Sequence, residues 1–255
     1  MNPANQNRVR ESSSRHQVFG RRHGFIQNPY EDNGRHAPHE FDGIPTITEF
    51  VPPSPTDTPR KLFIGSRRFI RRTNAQEILI YTDGACFGNG LSSPQAGCGF
   101  VISPQQKAKF RLENRGPTGE AYPQTSNRAE LRAVIAALEY RPWQGDDMGP
   151  WSRLVIATDS EYVVFGITHW IYEWIRRGWR TSAGQPVKNQ DLWKRLVHLI
   201  KRLDMPLSYT HPPHGIAISF WRIPREWNEE ADWEAKKGAQ LEESQEYISI
   251  NGGFI

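Results

Sequence analysis

From Glu77 onward the chain switches between apolar runs of strand length and apolar positions at helical spacing; before Glu77 no period is sustained. "EILIYTDGAC" is apolar from Ile78 to Tyr81 and turns at Gly84, which predicts a buried strand. "AGCGFVIS" (96–103) and "AKFRLEN" (108–114) predict two more strands, joined by a turn around Pro104 to Gln106. The clearest helix is "SNRAELRAVIAALEY" (126–140), where Leu131, Val134, Ile135 and Leu138 share a face and Ser126 reads as the cap. "RLVIATD" (153–159) is a strand ending in a carboxylate, and "SEYVVFGITHWIYEWIRRG" is helical with a break near Gly166 to Thr168. An amphipathic helix (189–203), a strand (216–223) and a last helix opening at Asn228 complete the order β-β-β-α-β-α-α-β-α. That order predicts an α/β fold with helices packed on a mixed sheet.

Residues 1–75 read differently. They are rich in Asn, Arg, Ser, His and Pro, with "VPPSPTDTP" (51–59) as a proline-stiffened piece, and are expected to be largely disordered. "KLFIGSRRFIRR" (61–72) alternates apolar and basic positions and suits either an ordered flap or a basic arm. The folded domain is therefore expected over 76–243, with 244–255 as a C-terminal tail. The Arg- and Ser-rich start loosely resembles a mitochondrial presequence, but Pro3 and Gly20 interrupt it. A nuclear or cytoplasmic, intracellular location is expected ahead of a mitochondrial one.

Composition narrows the class. The 255 residues are 37% hydrophobic and 24% charged, as in water-soluble globular domains. No run approaches the length of a membrane helix, so no membrane partner is expected. Cys86 and Cys98 are the only cysteines, too few for a disulfide framework or a structural zinc site. The net charge is +4, unevenly spread: residues 1–76 hold 12 Lys/Arg against 7 Asp/Glu. Between Trp174 and Arg202 lie eight basic residues and a single acid, Asp191. Such a cluster fits a polyanionic partner or a solvated helix face.

Four acids occupy special places. Asp83 and Asp159 end predicted strands, while Glu130 and Asp232 lie in the first turns of predicted helices. Each alone has an ordinary reading: turn chemistry for Asp83, capping for Asp159, helix-dipole acids for the other two. If the two strands are adjacent and parallel, however, Asp83 and Asp159 emerge at one edge, where α/β sheets bind ligands. Crowded carboxylates call for cations, and hard oxygen donors suit Mg²⁺ or Mn²⁺. Two such ions, roughly 4 Å apart, can activate a water against a phosphodiester. His211 and His214, in "THPPHGIAI" (210–218), read as a proline-rich loop rather than a metal site.

"YTDGACFGNG", "TSNRAEL", "IATDSEYV" and "NEEAD" follow the order and contexts of the four acidic motifs of type 1 ribonuclease H. "WIRRGWRTSAGQPVKNQDLWKRL" resembles that family's basic protrusion and the helix after it. The resemblance covers about residues 76–240. It implies a ribonuclease H-like fold with a five-stranded mixed sheet and helices on both faces. It implies an endonuclease that hydrolyses the RNA strand of RNA/DNA hybrids, leaving 5′-phosphate and 3′-hydroxyl ends. Two Mg²⁺ ions, with Mn²⁺ as a substitute, would be held by Asp83, Glu130, Asp159 and Asp232. Gly84, Ala85, Cys86 and Asn89 match one hybrid-contact loop, and Thr125, Ser126 and Asn127 a second. Ser126 stands where relatives commonly carry asparagine. Trp174, Trp179, Thr181, Lys188 and Asn189 would meet the DNA strand with Arg176, Arg177 and Arg180, while Trp170 and Trp193 are expected in the core. Many relatives carry a histidine in a longer loop before the last helix. Here "PREWN" replaces it, as in the family's shorter-looped branch, and Arg225 or Glu226 is expected to take part of its role. A monomer is expected, and a nucleic-acid-binding module without turnover is the alternative.

Overall fold

The computed structural model describes residues 47–206 and 215–252, so the loop histidines His211 and His214 and the chain before Ile47 lie outside the described residues. The frame is a single mixed sheet. Its spine is β4 (Asn74–Phe87), paired in parallel with β7 (Arg153–Thr158), which pairs in parallel with β8 (Ala217–Arg222). Along its other side β4 is long enough for two antiparallel neighbours. β3 (Phe69–Arg71) lies against its first half, and β5 (Gln95–Val101) against its second. β6 (Lys107–Arg111) extends β5, and β2 (Phe63–Ile64) extends β3. β1 (Thr48–Glu49) closes the far edge beside β8.

The sheet is thus eight-stranded, not five-stranded. The five expected strands are β4 to β8; the three additions all come from residues 48–71. The reason lies in the two faces of β4. Ile78 and Ile80 point into the larger core, with Phe100, Leu154, Ile156 and Phe220 under the helices. Leu79 and Tyr81 point the other way, into a second core with Val155, Ala157 and Trp221. That second face must also be covered, and Phe50 and Phe63 cover it, with Leu62 and Phe69 alongside. Phe50 sits 4.9 Å from the Trp221 ring and 5.9 Å from Phe63. The part of the expected disordered segment from Ile47 to residue 75 is therefore integral to the domain. Between β1 and β2 it also forms a one-turn helix, α1 (Pro59–Leu62), capped by Thr58.

Helices lie on both faces, as expected. α2 (Ser126–Glu139) and α5 (Gln190–Asp204) pack on the larger core. α6 (Glu229–Ala239) packs on the opposite face against β5. Gly99 permits that approach: a Cβ there would sit 2.4 Å from the Ala235 nitrogen. The cap of α2 is Thr125, whose side chain accepts from the Arg128 N–H; Ser126 is the first helical residue. The expected break near Gly166 is instead a π-helical turn, Gly166–Trp170, linking α3 (Glu161–Phe165) to α4 (Ile171–Arg176). It bulges where the Trp193 ring lies against Gly166.

The expected tail is also docked. Ile250 is buried, the Tyr247 hydroxyl donates to Glu139 at 3.0 Å, and Arg132 donates to the Ile248 carbonyl at 2.6 Å. Both cysteines are free. Among the described residues no helix is long and apolar enough to cross a membrane.

Candidate active site

The parallel pairing of β4 with β7, from Glu77↔Arg153 to Tyr81↔Ala157, sends both strands out at one edge. Asp83 lies two residues beyond the last pair, still within β4, and Asp159 directly follows β7. Glu130 arrives from α2, which crosses β4 at Gly84. A Cβ on Gly84 would stand 2.1 Å from the Glu130 nitrogen, so only glycine lets the helix come this close. The outcome is a trio: Asp83, Glu130 and Asp159 each bring a carboxylate oxygen within 4.8 Å of the others.

The electrostatics of the trio are unfavourable by themselves. Asp83 is 4% exposed, and burial, then the charges of Asp159 and Asp232, push its carboxyl up to about 7. The Gly84 N–H, donating to Asp83 at 2.9 Å, opposes the shift. Burial, followed by Asp83 and Asp159, holds Glu130 well above the usual carboxylate range. Its Oε2 is buried with no hydrogen-bond donor. An orphaned acceptor among converging hard oxygens fits a divalent cation.

Asp232 stands outside this trio. It accepts from Lys236 one turn along α6 at 2.6 Å and from Arg225 at 3.3 Å. Its charge still reaches Asp83, so it borders the trio rather than joining it. The short turn before α6 separates the two residues expected to share one role. Arg225 feels Asp159, Asp232 and Asp83, which hold its guanidinium more firmly protonated. Glu226 instead lines a cavity between that turn and α1.

Sequence reasoning missed Asn228 as more than a helix start. Its side chain makes no cap; it is buried and its Nδ2 donates to the Thr82 carbonyl at 3.0 Å and to Asp159 at 3.1 Å. It ties Asp159 and α6 to β4. An amide where helix starts usually place a capping oxygen was the available signal, but the partners lie 146 and 69 residues away.

The expected hybrid contacts divide. Asn89 and Ser126 do meet, with the Ser126 N–H donating to Asn89 Oδ1 at 3.4 Å, and Asn127 is exposed beside them. Thr125 is the helix cap, and Cys86 and Ala85 are half-buried on β4. Gly84 is buried under α2, so its role is the close approach, not contact. In the protrusion, Trp179 is only 6% exposed and belongs to the core, contrary to the expected contact role. Its positive φ of 63° turns the ring inward, with the Lys194 ammonium 5.6 Å over it. Trp170, expected in the core, is 42% exposed. Trp174 is partly buried between Trp170 and Trp193, and Trp193 is fully buried as expected. Thr181 closes a turn by accepting from Gln185, and Lys188 is exposed. Asn189, also at positive φ, donates to the Tyr162 hydroxyl at 3.2 Å and accepts from Arg128 at 3.4 Å. Arg176 and Arg177 both lean on Glu173.

Comparison with known proteins adds to this geometry. The family model described as RNase H matches residues 75–240. A protein named Ribonuclease H from Shewanella halifaxensis is 36% identical over 183 residues, covering 72% of this chain and 96% of that protein. Ribonuclease H of Thermosynechococcus vestitus is 43% identical over 136 residues, 53% of this chain and 76% of that protein. Ribonuclease H of Treponema pallidum is 39% identical over 135 residues, 50% of this chain and 75% of that protein.

Proposed function

Because the chain belongs to the ribonuclease H family, we propose that its acidic trio serves hydrolysis of the RNA strand of RNA/DNA hybrids. The observation that carries the reading is the convergence of Asp83, Glu130 and Asp159, none of which is in an ion pair among the described residues, while Arg225 pairs with Asp232 and reaches the trio only at longer range. Family membership supports reading that convergence as a reaction centre. Mg²⁺ is the expected ion, with Mn²⁺ as a substitute. Asp83, Glu130 and Asp159 would hold it, and Asp232, now paired with Lys236 and Arg225, would be the further carboxylate for a second ion. Bound divalent cations supply activation of the attacking water and charge for the departing oxygen.

The protein groups supply alignment. Gly84 N–H fixes the Asp83 carboxylate and Asn228 fixes Asp159, so two ligands are held before substrate arrives. Arg225, beside the acids and 74% exposed at its side chain, would be within reach of the phosphate to be cut. Ser126 and Asn127 open α2 about one turn before Glu130, and Asn89, in the loop after β4, accepts from the Ser126 N–H. They are short polar groups suited to reading 2′-hydroxyls across a minor groove. Arg180, Lys188 and Lys194 offer phosphate contacts beyond them. The proposed products are a 5′-phosphate and a 3′-hydroxyl, released by a monomer.

A hybrid with its RNA strand end-labelled tests this. Cutting should be confined to RNA paired with DNA, should stop in chelator, and should be lost in Asp83→Asn. Equal cutting of single-stranded RNA, or an active Asp83→Asn, would overturn the proposal.

A further inference from the structure

The segment that covers the second core also builds a cavity. It has a volume of about 500 Å³ and lies between α1, β2 and β3 on one side and the Arg225–Trp227 turn and start of α6 on the other. Its walls are apolar and aromatic: Pro59, Phe63, Ile64, Phe69, Tyr81 and Trp227. That volume suits one large apolar side chain with its neighbours.

The rim is acidic. Glu226, Glu229 and Glu230 all line the cavity, against one cation, Arg60. Glu230 is shared by Arg60 at 3.5 Å and Lys107 at 3.0 Å. Glu226 and Glu229 have no ion-pair partner among the described residues. Inside, the Tyr81 hydroxyl has no protein hydrogen-bond partner among the described residues, and burial pushes it up to about 12, so it is a neutral donor. An apolar floor under unpaired carboxylates disfavours a phosphate backbone and favours a cation carried on an apolar body.

We propose that this cavity docks a short peptide of a partner protein, with an aromatic or aliphatic anchor flanked by Arg or Lys. The anchor fills the space between Phe63, Phe69 and Trp227, and the flanking cations pair with Glu226 and Glu229. An anchor carbonyl accepts from Tyr81. The occupant touches the same turn that carries Arg225 beside the acidic trio.

The probe is a fluorescein-labelled decapeptide with a central Phe-Leu pair and two arginines on each side, titrated with the full chain in chelator without nucleic acid. Failure there leaves the nuclease reading untouched. Saturable binding is expected. It should weaken about fivefold when Glu229→Lys reverses one rim charge, and more in Ile64→Asp, at a wall position that is already 44% exposed. A peptide with Glu flanks, or with Ala-Ala at its centre, should not bind. Melting curves verify that both variants fold. No saturable binding, equal binding by the Glu-flanked peptide, unchanged affinity in both folded variants, or displacement of the peptide by a hybrid would overturn the proposal.

Discussion

Helix α2 carries two opposite electrostatic designs within five residues. Arg128 and Arg132 are buried, and each is closed by a carboxylate. Arg128 meets Asp191 at 2.6 and 2.9 Å, and Arg132 meets Glu113 at 2.8 Å with the Tyr247 ring over its guanidinium. Glu139, at the end of the same helix, pairs with Arg195 and Tyr247. Midway between the two arginines, Glu130 faces the carboxylates of Asp83 and Asp159, with the Gly84 N–H as the opposing polar group. A buried charge without an opposite partner raises the free energy of the fold, so it persists only where something else requires it. The paired side of α2 holds the domain together; the unpaired side is the one proposed to serve the reaction.

Substituting across this contrast should separate the two roles. Glu130→Gln should lower hybrid cleavage by about 10³-fold or more while leaving the fold intact. Arg132→Ala should do the reverse. It leaves Glu113 buried and unpaired, which costs roughly 3–5 kcal/mol in denaturant unfolding, yet turnover per folded molecule should hold. If Arg132→Ala abolishes turnover without loss of stability, the division is wrong.

Acid titration sharpens the comparison further. The raised Asp83 carboxyl, at about 7 in the fold, lies above its ordinary value of 3.8. Its contribution to stability is therefore fully present below pH 4 and is lost as pH rises through 7. In chelator this titration, shared with the neighbouring Glu130, should remove on the order of 1–3 kcal/mol between those limits, and Asp83→Asn should reduce that slope. A wild-type slope unchanged in Asp83→Asn would place the strain elsewhere. A smaller effect belongs to Asn228→Ala, which frees Asp159. A roughly tenfold fall in turnover with weakened metal affinity is expected, as for other groups that orient ligands. An unchanged affinity for Mn²⁺ would reduce Asn228 to a link between α6 and β4.

Much of this was legible beforehand, and unevenly. Long apolar runs such as 78–81 and 154–157 disclosed the central strands because both their faces are buried. Asp83, Glu130 and Asp159 were legible from their positions in those elements. Residues 47–60 were not, and for 61–72 an ordered flap stood only beside a basic arm, because the pieces are two to four residues long and a proline-rich stretch parts the first from the rest. Their evidence lay in the partner strand: Leu79, Tyr81 and Trp221 needed a cover that nothing from 77 onward supplied in full. Trp179 was misread because a residue between glycine and arginine looks exposed, whereas a left-handed backbone turns it inward. Asp232 carried the right motif, but Lys236, one turn along α6, and Arg225, in the turn before that helix, hold it back from the trio.

The central claim is that the trio is strained until a cation fills it. Thermal melting of wild type and Asp83→Asn, each in chelator and in Mg²⁺ or Mn²⁺, tests it most directly. The account predicts a crossing: Asp83→Asn the more stable in chelator, wild type the more stable once metal is added. Parallel curves, with the same order in both conditions, would contradict it.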